Sequence, residues 1–163
     1  MFIRISGIIN ESIVDGPGLR MVIFAQGCNR ACPGCHNPET HNVNGGSEAN
    51  VTEIFASARA NPLLRGLTFS GGEPFLQAPA FAALARLARG AGFDVFTYTG
   101  YTIEEILERK EGADDGFREL LRLTDILVDG PYIEALRTLD APYRGSSNQR
   151  VINVAATLGG LVE

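Results

Sequence analysis

The spacing of hydrophobic and polar residues changes several times along this chain, between strand-like alternation and a helical period. Residues 2–9 (FIRISGII) alternate as a half-buried strand does, and residues 20–26 (RMVIFAQ) predict a second strand after a Gly/Pro turn. Short apolar runs bounded by turn residues predict further strands at 66–70, 93–99 and 125–130, and a last one at 150–155. Helical patterns and capping residues predict helices over 51–60, 80–89, 102–110 and 117–123.

The order of these elements predicts the fold class. After the first strand, a unit of strand, loop and helix repeats along the chain, which is typical of a parallel sheet with helices outside it. A closed eight-fold barrel needs about 250 residues. The 163-residue chain therefore predicts an α/β fold whose parallel strands form a partial, open barrel, in a single domain over residues 1–163. A doubly wound sheet is the alternative.

Four unusual loops follow four predicted strands. The second strand leads into a long loop at 27–50, and the next three lead into SGGEPF (70–75), TGY (99–101) and DGPY (129–132). In both candidate folds, ligands bind at the carboxyl ends of the parallel strands. The four loops therefore predict one site on one rim of the sheet.

Composition and charge limit the partners. The chain is 45% hydrophobic and 20% charged with a net charge of −5, which argues against a nucleic-acid partner. No apolar run reaches the roughly 18 residues of a membrane span, and the first ten residues do not resemble a secretory signal. We expect a cytoplasmic protein without a membrane partner, in a compartment where thiols stay reduced.

All three cysteines of the chain lie in the stretch GCNRACPGCHN (27–37). Three thiols cannot all pair with one another, and clustered cysteines in a reducing compartment more often bind metal or perform chemistry. Thiolates suit zinc, copper(I) and iron–sulfur clusters. Cys28, Cys32 and Cys35 could hold three corners of a four-iron cluster and leave one iron open. The alternatives are a structural zinc site completed by His36 or His41, and three core cysteines without a ligand.

The stretch CNRACPGC has the C-x3-C-x2-C spacing of the radical S-adenosylmethionine (SAM) superfamily. Residues 14–40 closely resemble the N-terminal region of glycyl-radical-enzyme activases. The blocks YTGY (98–101), VDGPY (128–132) and RGSSNQRV (144–151) are similar, in the same order, to blocks of the smallest activases, which serve anaerobic ribonucleoside-triphosphate reductase. The resemblance covers residues 6–151 and implies the open barrel of the radical SAM type.

The resemblance also implies roles for individual residues. Cys28, Cys32 and Cys35 are the implied catalytic and metal-binding residues, as ligands of one [4Fe–4S] cluster whose open iron binds SAM. The implied SAM-binding residues are Gly34, Cys35, His36, Gly71, Gly72, Glu73 and Asp129. Among these, the GGE block would hold the methionyl amino group, and its glycines would let backbone carbonyls approach the ligand. His36 as an ordinary loop residue and Asp129 as a cap at a strand end are the alternatives.

The activity implied by the resemblance is reductive cleavage of SAM to a 5′-deoxyadenosyl radical, followed by abstraction of a glycine Cα hydrogen in the reductase. The implied partners are this glycyl-radical enzyme and an electron donor of the flavodoxin or ferredoxin type. Another small radical SAM enzyme acting on a small molecule or a peptide, such as a deazaguanine-forming synthase, is the first alternative. A zinc-binding module without enzymatic activity is the second. The resemblance implies that the Arg144–Gln149 segment is a partner-binding or an active-site flap segment, and a plain C-terminal loop is the alternative.

Overall fold

A computed structural model describes residues 1–30, 32–110 and 115–161 of the chain. Within these residues one sheet contains seven strands in the order β3-β1-β2-β4-β5-β6-β7. The strands are β1 (Phe2–Ser12), β2 (Arg20–Ala25), β3 (Ser47–Asn50), β4 (Gly66–Gly71), β5 (Asp94–Tyr98), β6 (Ile126–Asp129) and β7 (Arg150–Asn153). The helices are α1 (Val51–Arg59), α2 (Ala78–Gly90), α3 (Ile103–Leu107), α4 (Phe117–Leu123) and α5 (Val154–Leu161). Short 3₁₀ turns occur at Pro38–Thr40, Pro74–Gln77 and Glu134–Leu136.

The sheet is mixed, which corrects the prediction of a wholly parallel sheet. Strands β2, β4, β5 and β6 are parallel, whereas β1, β3 and β7 pair with antiparallel neighbours. The connection between β1 and β2 is too short for a crossover, so these neighbours must run in opposite directions. The chain between β6 and β7 contains only a 3₁₀ turn and likewise returns antiparallel. The α/β class and the parallel centre are confirmed.

The ends of several elements also differ from the predictions. The long loop predicted at 27–50 contains β3, which pairs with β1 at the edge of the sheet. The strand predicted at 150–155 ends at Asn153, and α5 begins at the next residue. The capping box predicted for α3 is present, because Thr102 accepts from the backbone N–H of Glu105 and the Glu105 carboxylate accepts from that of Thr102. Helix α3 ends at Leu107 rather than near residue 110.

The two faces of the sheet have different roles. One face packs on helices, with Leu67 and Phe69 of β4 buried against α2, where the Phe69 and Phe81 ring centroids are 4.8 Å apart. Burying each such side chain contributes about 1.5–3 kcal/mol. Because side chains alternate along a strand, Phe24 and Tyr98 point to the other face, where both line a cavity. None of the described helices has the length and apolar character that a membrane span requires.

A buried arginine holds the turn between β1 and β2 in place. The side chain of Arg20 is fully buried and forms an ion pair with Asp94 at 2.5 Å. It also donates to the Thr68 hydroxyl at 2.8 Å and to the carbonyl of Pro17 at 3.0 Å. The Thr68 hydroxyl in turn donates to the carbonyl of Asp15 at 2.7 Å. The turn at 15–18 is thereby fixed against the face of the sheet that carries the cavity.

Candidate active site

A cavity of about 530 Å³ lies at the carboxyl ends of the four parallel strands. The loops that follow β2, β4, β5 and β6 all contribute to its wall. The predicted site residues among its lining are Cys28, Cys32, Cys35, His36, Gly71, Gly72 and Glu73. The prediction that four separate loops meet at one rim is therefore confirmed.

Backbone hydrogen bonds close the cysteine loop at its base. The N–H of Gly27 donates to the carbonyl of Thr40 at 2.6 Å, and the N–H of Cys28 donates to that of His41 at 3.2 Å. The three thiols are half-buried and share one cavity. The backbone N–H of Arg30 lies 3.4 Å from the sulfur of Cys28, and that of Asn37 lies 3.5 Å from the sulfur of Cys35. Such donors stabilise thiolates and tune iron–sulfur clusters, so the loop fits the cluster predicted for it.

The zinc alternative gains no support from the arrangement of side chains. In residues 1–30, 32–110 and 115–161, no three His, Cys, Asp or Glu side chains are grouped as ligands of one metal ion. A four-iron cluster makes no such demand, because each thiolate binds a different iron. His36 packs its ring on that of Tyr132, with centroids 5.1 Å apart, and both residues line the cavity.

The Gly71–Gly72 pair allows the backbone at the end of β4 to pack closely against the end of β2 and the start of the cysteine loop. Gly71 has φ +91°, and a Cβ there would lie 2.6 Å from the backbone nitrogen of Ala25. A Cβ on Gly72 would overlap the carbonyl oxygen of Gly27. Because neither glycine has a side chain, the backbones approach closely. The N–H of Gly72 donates to the carbonyl of Ala25, and the N–H of Glu73 donates to the carbonyl of Gly27, both at 2.8 Å. The glycines are thus required by backbone packing, a reason that the prediction from ligand approach did not include.

Glu73 is a buried acid with three hydrogen-bond donors around it. The residue is 1% exposed, and its carboxylate accepts from the N–H of Phe75 at 3.1 Å, the hydroxyl of Thr99 at 2.9 Å and the N–H of Gly100 at 2.8 Å. Burial raises the pKa of Glu73 to about 7, although these hydrogen bonds and the charge of Arg30 favour the ionised form. A cation in the cavity would stabilise the ionised carboxylate further.

Arg30 joins the cysteine loop to the start of α3. Its guanidinium forms an ion pair with Glu105 at 2.7 Å and lies 4.3 Å from the ring centroid of Tyr101. A salt bridge and a cation–π contact together fix a long side chain that would otherwise be mobile. The sequence analysis did not identify this residue. A basic residue between two metal-ligand candidates, followed downstream by an acidic helix start, was the available signal.

Two predicted cofactor residues, Gly34 and Asp129, are not part of the cavity lining. Asp129 is 1% exposed, and it accepts from the N–H of Ile103 at 2.8 Å and from the Arg150 guanidinium at 2.6 Å and 3.0 Å. These contacts tie the end of β6 to α3 and β7. Gly34 has φ +74°, and a Cβ there would lie 2.9 Å from the carboxyl carbon of Glu134. Their contacts with SAM stay predictions that this arrangement does not favour.

The chain between β6 and β7, residues 130–149, forms a strap over the cavity. Gln149 closes its base: the side-chain oxygen accepts from the N–H of Gly145 at 2.9 Å, and the amide donates to the carbonyl of Gly130 at 3.1 Å. Asn148 donates to the carbonyl of Pro131 at 2.8 Å. The strap residues that line the cavity are Gly130, Tyr132, Thr138, Leu139, Tyr143, Arg144, Gly145 and Gln149. The RGSSNQ block therefore shapes the site.

The backbone of the strap is strained where it reaches the cavity. Tyr143 has φ +62°, the left-handed conformation, which costs a non-glycine residue roughly 1–3 kcal/mol. Its ring packs edge-on against Phe96, with centroids 5.2 Å apart. Phe96 also contacts Tyr98, whose pKa is raised by burial well above its usual range. These aromatic contacts hold the strained residue next to Arg144.

Comparison with known proteins shows the family. A family model described as a 4Fe-4S single cluster domain matches residues 14–152. The chain is 33% identical over 147 residues to the anaerobic ribonucleoside-triphosphate reductase-activating protein of Escherichia coli (strain K12), covering 85% of this chain and 91% of the relative. The chain belongs to this family of activating proteins. It is likewise 34% identical over 145 residues to the activating protein of Enterobacteria phage T4, covering 85% and 86%.

A second group of activating enzymes also matches the chain. The pyruvate formate-lyase-activating enzyme of Clostridium pasteurianum is 36% identical over 132 residues, covering 71% of this chain and 56% of that enzyme. The crystal structure of QueE from Escherichia coli matches with a TM-score of 0.47 and 20% identity, over 63% of this chain and 54% of that chain. A score of this size carries no argument about the fold. As a radical SAM activase, the chain has a [4Fe–4S] cluster and SAM as its cofactors.

Proposed function

We propose that this chain generates the glycyl radical of an anaerobic ribonucleoside-triphosphate reductase. The observation that carries the proposal is the convergence of the three cysteines, the GGE block and the strap on one cavity, in a member of the activating-protein family. When bound, the cluster supplies one electron to the sulfonium of SAM, so that methionine leaves and a 5′-deoxyadenosyl radical takes one hydrogen atom from a glycine Cα. The residues of the chain hold the reactants in place and exclude water.

Cys28, Cys32 and Cys35 are the proposed cluster ligands. They would hold the cluster at the wall of the cavity that all three residues line, and the cluster would supply there an iron without a protein ligand for SAM. The backbone at Gly71 and Gly72 forms an adjoining wall, and the Glu73 carboxylate accepts the methionyl ammonium group. His36, fixed by its packing on Tyr132, lies beside the last cysteine. Phe24 and Tyr98 close the cavity on the side of the sheet.

The sheet is proposed to be the partial, open barrel of the radical SAM type, in one domain over residues 1–163. Access for a protein substrate supports this proposal. Val14 and Leu139 line the cavity and are nonetheless 73% and 86% exposed. They therefore lie where the cavity meets the surface, one on the turn before β2 and the other on the strap. Such an apolar mouth suits a peptide segment that carries the target glycine.

The proposed electron donor is a protein of the flavodoxin or ferredoxin type. The reaction consumes one electron for each SAM cleaved, and none of the side chains in the described cavity wall is a source of that electron. The donor must therefore act through the cluster. The alternative of a small radical SAM enzyme that modifies a small molecule is separated from the proposal by the test below.

Mixing the reconstituted protein with SAM, a reductant and an anaerobic ribonucleotide reductase should produce a glycyl radical. We expect its EPR signal on the reductase, together with 5′-deoxyadenosine in the same amount. A reductase variant whose target glycine is replaced by alanine is the control and should give no signal. Cleavage of SAM without any radical on the wild-type reductase would favour the small-molecule alternative.

The affinity of the iron-loaded protein for SAM should rise with pH between about 6 and 8. The carboxyl of Glu73, whose pKa is raised to about 7, must lose its proton before it can accept an ammonium group through its charge. One pH unit below this pKa, binding should be about tenfold weaker than its plateau. In Glu73→Gln the affinity should be low and independent of pH over this range. Isothermal titration under argon measures both proteins, and the ionisation of SAM itself cancels in their comparison.

In the protein without cofactors, folding stability should change with pH in the opposite direction to the affinity for SAM. The native carboxyl of Glu73 keeps its proton up to about pH 7, whereas the unfolded one loses it near 4.5. Folding stability should therefore fall as pH rises through this window, and the fall should be smaller in Glu73→Gln. Equal pH dependence in both proteins would contradict the assignment.

A further inference from the structure

Two arginines line the cavity, and only one of them has a counterion among the described residues. Arg30 forms an ion pair with Glu105. Arg144 has no described carboxylate within ion-pair distance, and its recorded contact is a 3.3 Å hydrogen bond from Nη1 to the carbonyl of Gln149. Its Nε is buried and has no hydrogen-bond partner in the part of the chain that the structure describes.

A guanidinium with no described counterion and a free N–H donor can bind an anionic ligand. A buried donor without a partner costs free energy, which a hydrogen bond to a ligand would offset. The Nε–Nη2 edge of an arginine presents two parallel N–H groups, and this fork matches the two oxygens of a carboxylate. Nη1 donates to the carbonyl of Gln149, so the Nε–Nη2 edge is the pair of donors without a described partner.

The surrounding contacts fix Arg144 in the cavity wall. Tyr143 is held in the left-handed conformation against Phe96. On the other side, Gly145 leaves room for the ring of Tyr132, because a Cβ there would lie 3.2 Å from that ring. Tyr132 packs in turn on His36, next to Cys35. A strained residue and a glycine in close contact with Tyr132 therefore flank Arg144, on the part of the strap that packs on His36 of the cysteine loop.

We propose that Arg144 binds the α-carboxylate of the amino-acid part of SAM. This inference rests on the proposed function and adds the residue that recognises the negative end of the ligand. Glu73 and Arg144 then provide opposite charges on two walls of one cavity, as a zwitterionic amino-acid group requires. Because Arg144 belongs to the RGSSNQ block, this role also gives the block a binding function beyond closing the strap.

The test compares SAM with decarboxylated SAM, which has the same sulfonium and amine and lacks the carboxylate. Affinities are measured by anaerobic isothermal titration on the iron-loaded protein without a reductant, so turnover does not contribute. In Arg144→Met the affinity for SAM should fall about ten- to hundred-fold, the loss expected for hydrogen bonds to a charged group, and that for decarboxylated SAM by less than about twofold. Arg144→Lys keeps the charge without the fork and should lose an intermediate amount. Arg137→Met is the matched control, since Arg137 is an exposed strap residue outside the cavity lining, and it should bind both ligands as the wild type does.

The outcomes separate this inference from the proposed function. If the wild type binds neither ligand, the proposed function fails and the inference fails with it. If the wild type binds SAM and Arg144→Met weakens both ligands equally, or neither, the carboxylate assignment alone is wrong. Normal SAM binding in Arg144→Met with weaker binding of the reductase would show that the carboxylate comes from the partner chain, which also overturns the inference. Should Arg144→Met not fold, as judged by circular dichroism, the selectivity of Arg144→Lys decides in the same way.

Discussion

Replacing Cys32 by alanine should abolish both cluster retention and SAM cleavage. The half-buried Cys32 thiol shares the cavity with those of Cys28 and Cys35, and two thiolates cannot hold a cluster that needs three corners fixed. After anaerobic reconstitution, the wild type should contain about four irons per chain and an equal amount of sulfide. The variant should contain neither in stoichiometric amount and should form no 5′-deoxyadenosine. Iron and sulfide analysis with an assay for 5′-deoxyadenosine measures the effect.

The control for this prediction is His41→Ala. His41 lines the same cavity, and its carbonyl accepts from the N–H of Cys28, a bond that the alanine variant keeps. A cluster held by three cysteines predicts that His41→Ala retains its iron. A zinc site completed by His41 predicts that this variant loses its metal. A Cys32→Ala protein with full iron and full activity would show that the cluster assignment is wrong.

Gly72→Ala should separate the GGE block from the cysteine loop. The added Cβ would overlap the carbonyl oxygen of Gly27 and approach that of Thr40 at 3.0 Å, and neither is the end of a flexible side chain. We expect a loss of roughly 1–3 kcal/mol in the free energy of unfolding, as for other overpacked sites. SAM binding should weaken as well, because the hydrogen bond from the N–H of Glu73 to the carbonyl of Gly27 positions the acid. Denaturant unfolding and SAM titration measure the two effects.

Gly90→Ala is the matched control for Gly72→Ala. Gly90 is the last residue of α2, and a Cβ there would have nothing within 4 Å outside the backbone of its own helix. Alanine at such a position should change stability by less than about 1 kcal/mol and in the stabilising direction. The account of the glycine pair fails if Gly72→Ala unfolds and binds SAM like the wild type.

The sequence predicted those features of the fold that depend on residues close together in the chain. The capping box at Thr102 and Glu105 depends on residues three apart, and it is present as predicted. The β3 strand was missed because its sequence, SEAN, is polar and short, and it becomes a strand only by pairing with β1. The direction of β7 was likewise not determined locally. It follows from the strap, which returns the chain to β6 without a crossover helix.

In the candidate site, too, short motifs were predicted from the sequence, whereas contacts between distant residues were not. The cysteine spacing and the GGE block were identified because each lies within a few residues, and the order of the strands brings them together. For Asp129, the position at the end of a strand was right, but its partner Arg150 lies 21 residues away, so the engagement of its carboxylate was not predictable. Arg144 was noted only as part of a motif. Its significance depends on the absence of a nearby described carboxylate, which only the folded arrangement shows.

The most direct test follows a hydrogen atom from the reductase to the cofactor. The reductase is prepared with glycine deuterated at Cα and mixed anaerobically with the reconstituted protein, SAM and a reductant. The account predicts a glycyl radical on the reductase and one deuterium atom in the 5′-deoxyadenosine, detected by mass spectrometry. A glycyl radical accompanied by 5′-deoxyadenosine without deuterium, or the absence of both products from a protein with its full iron content, would contradict it.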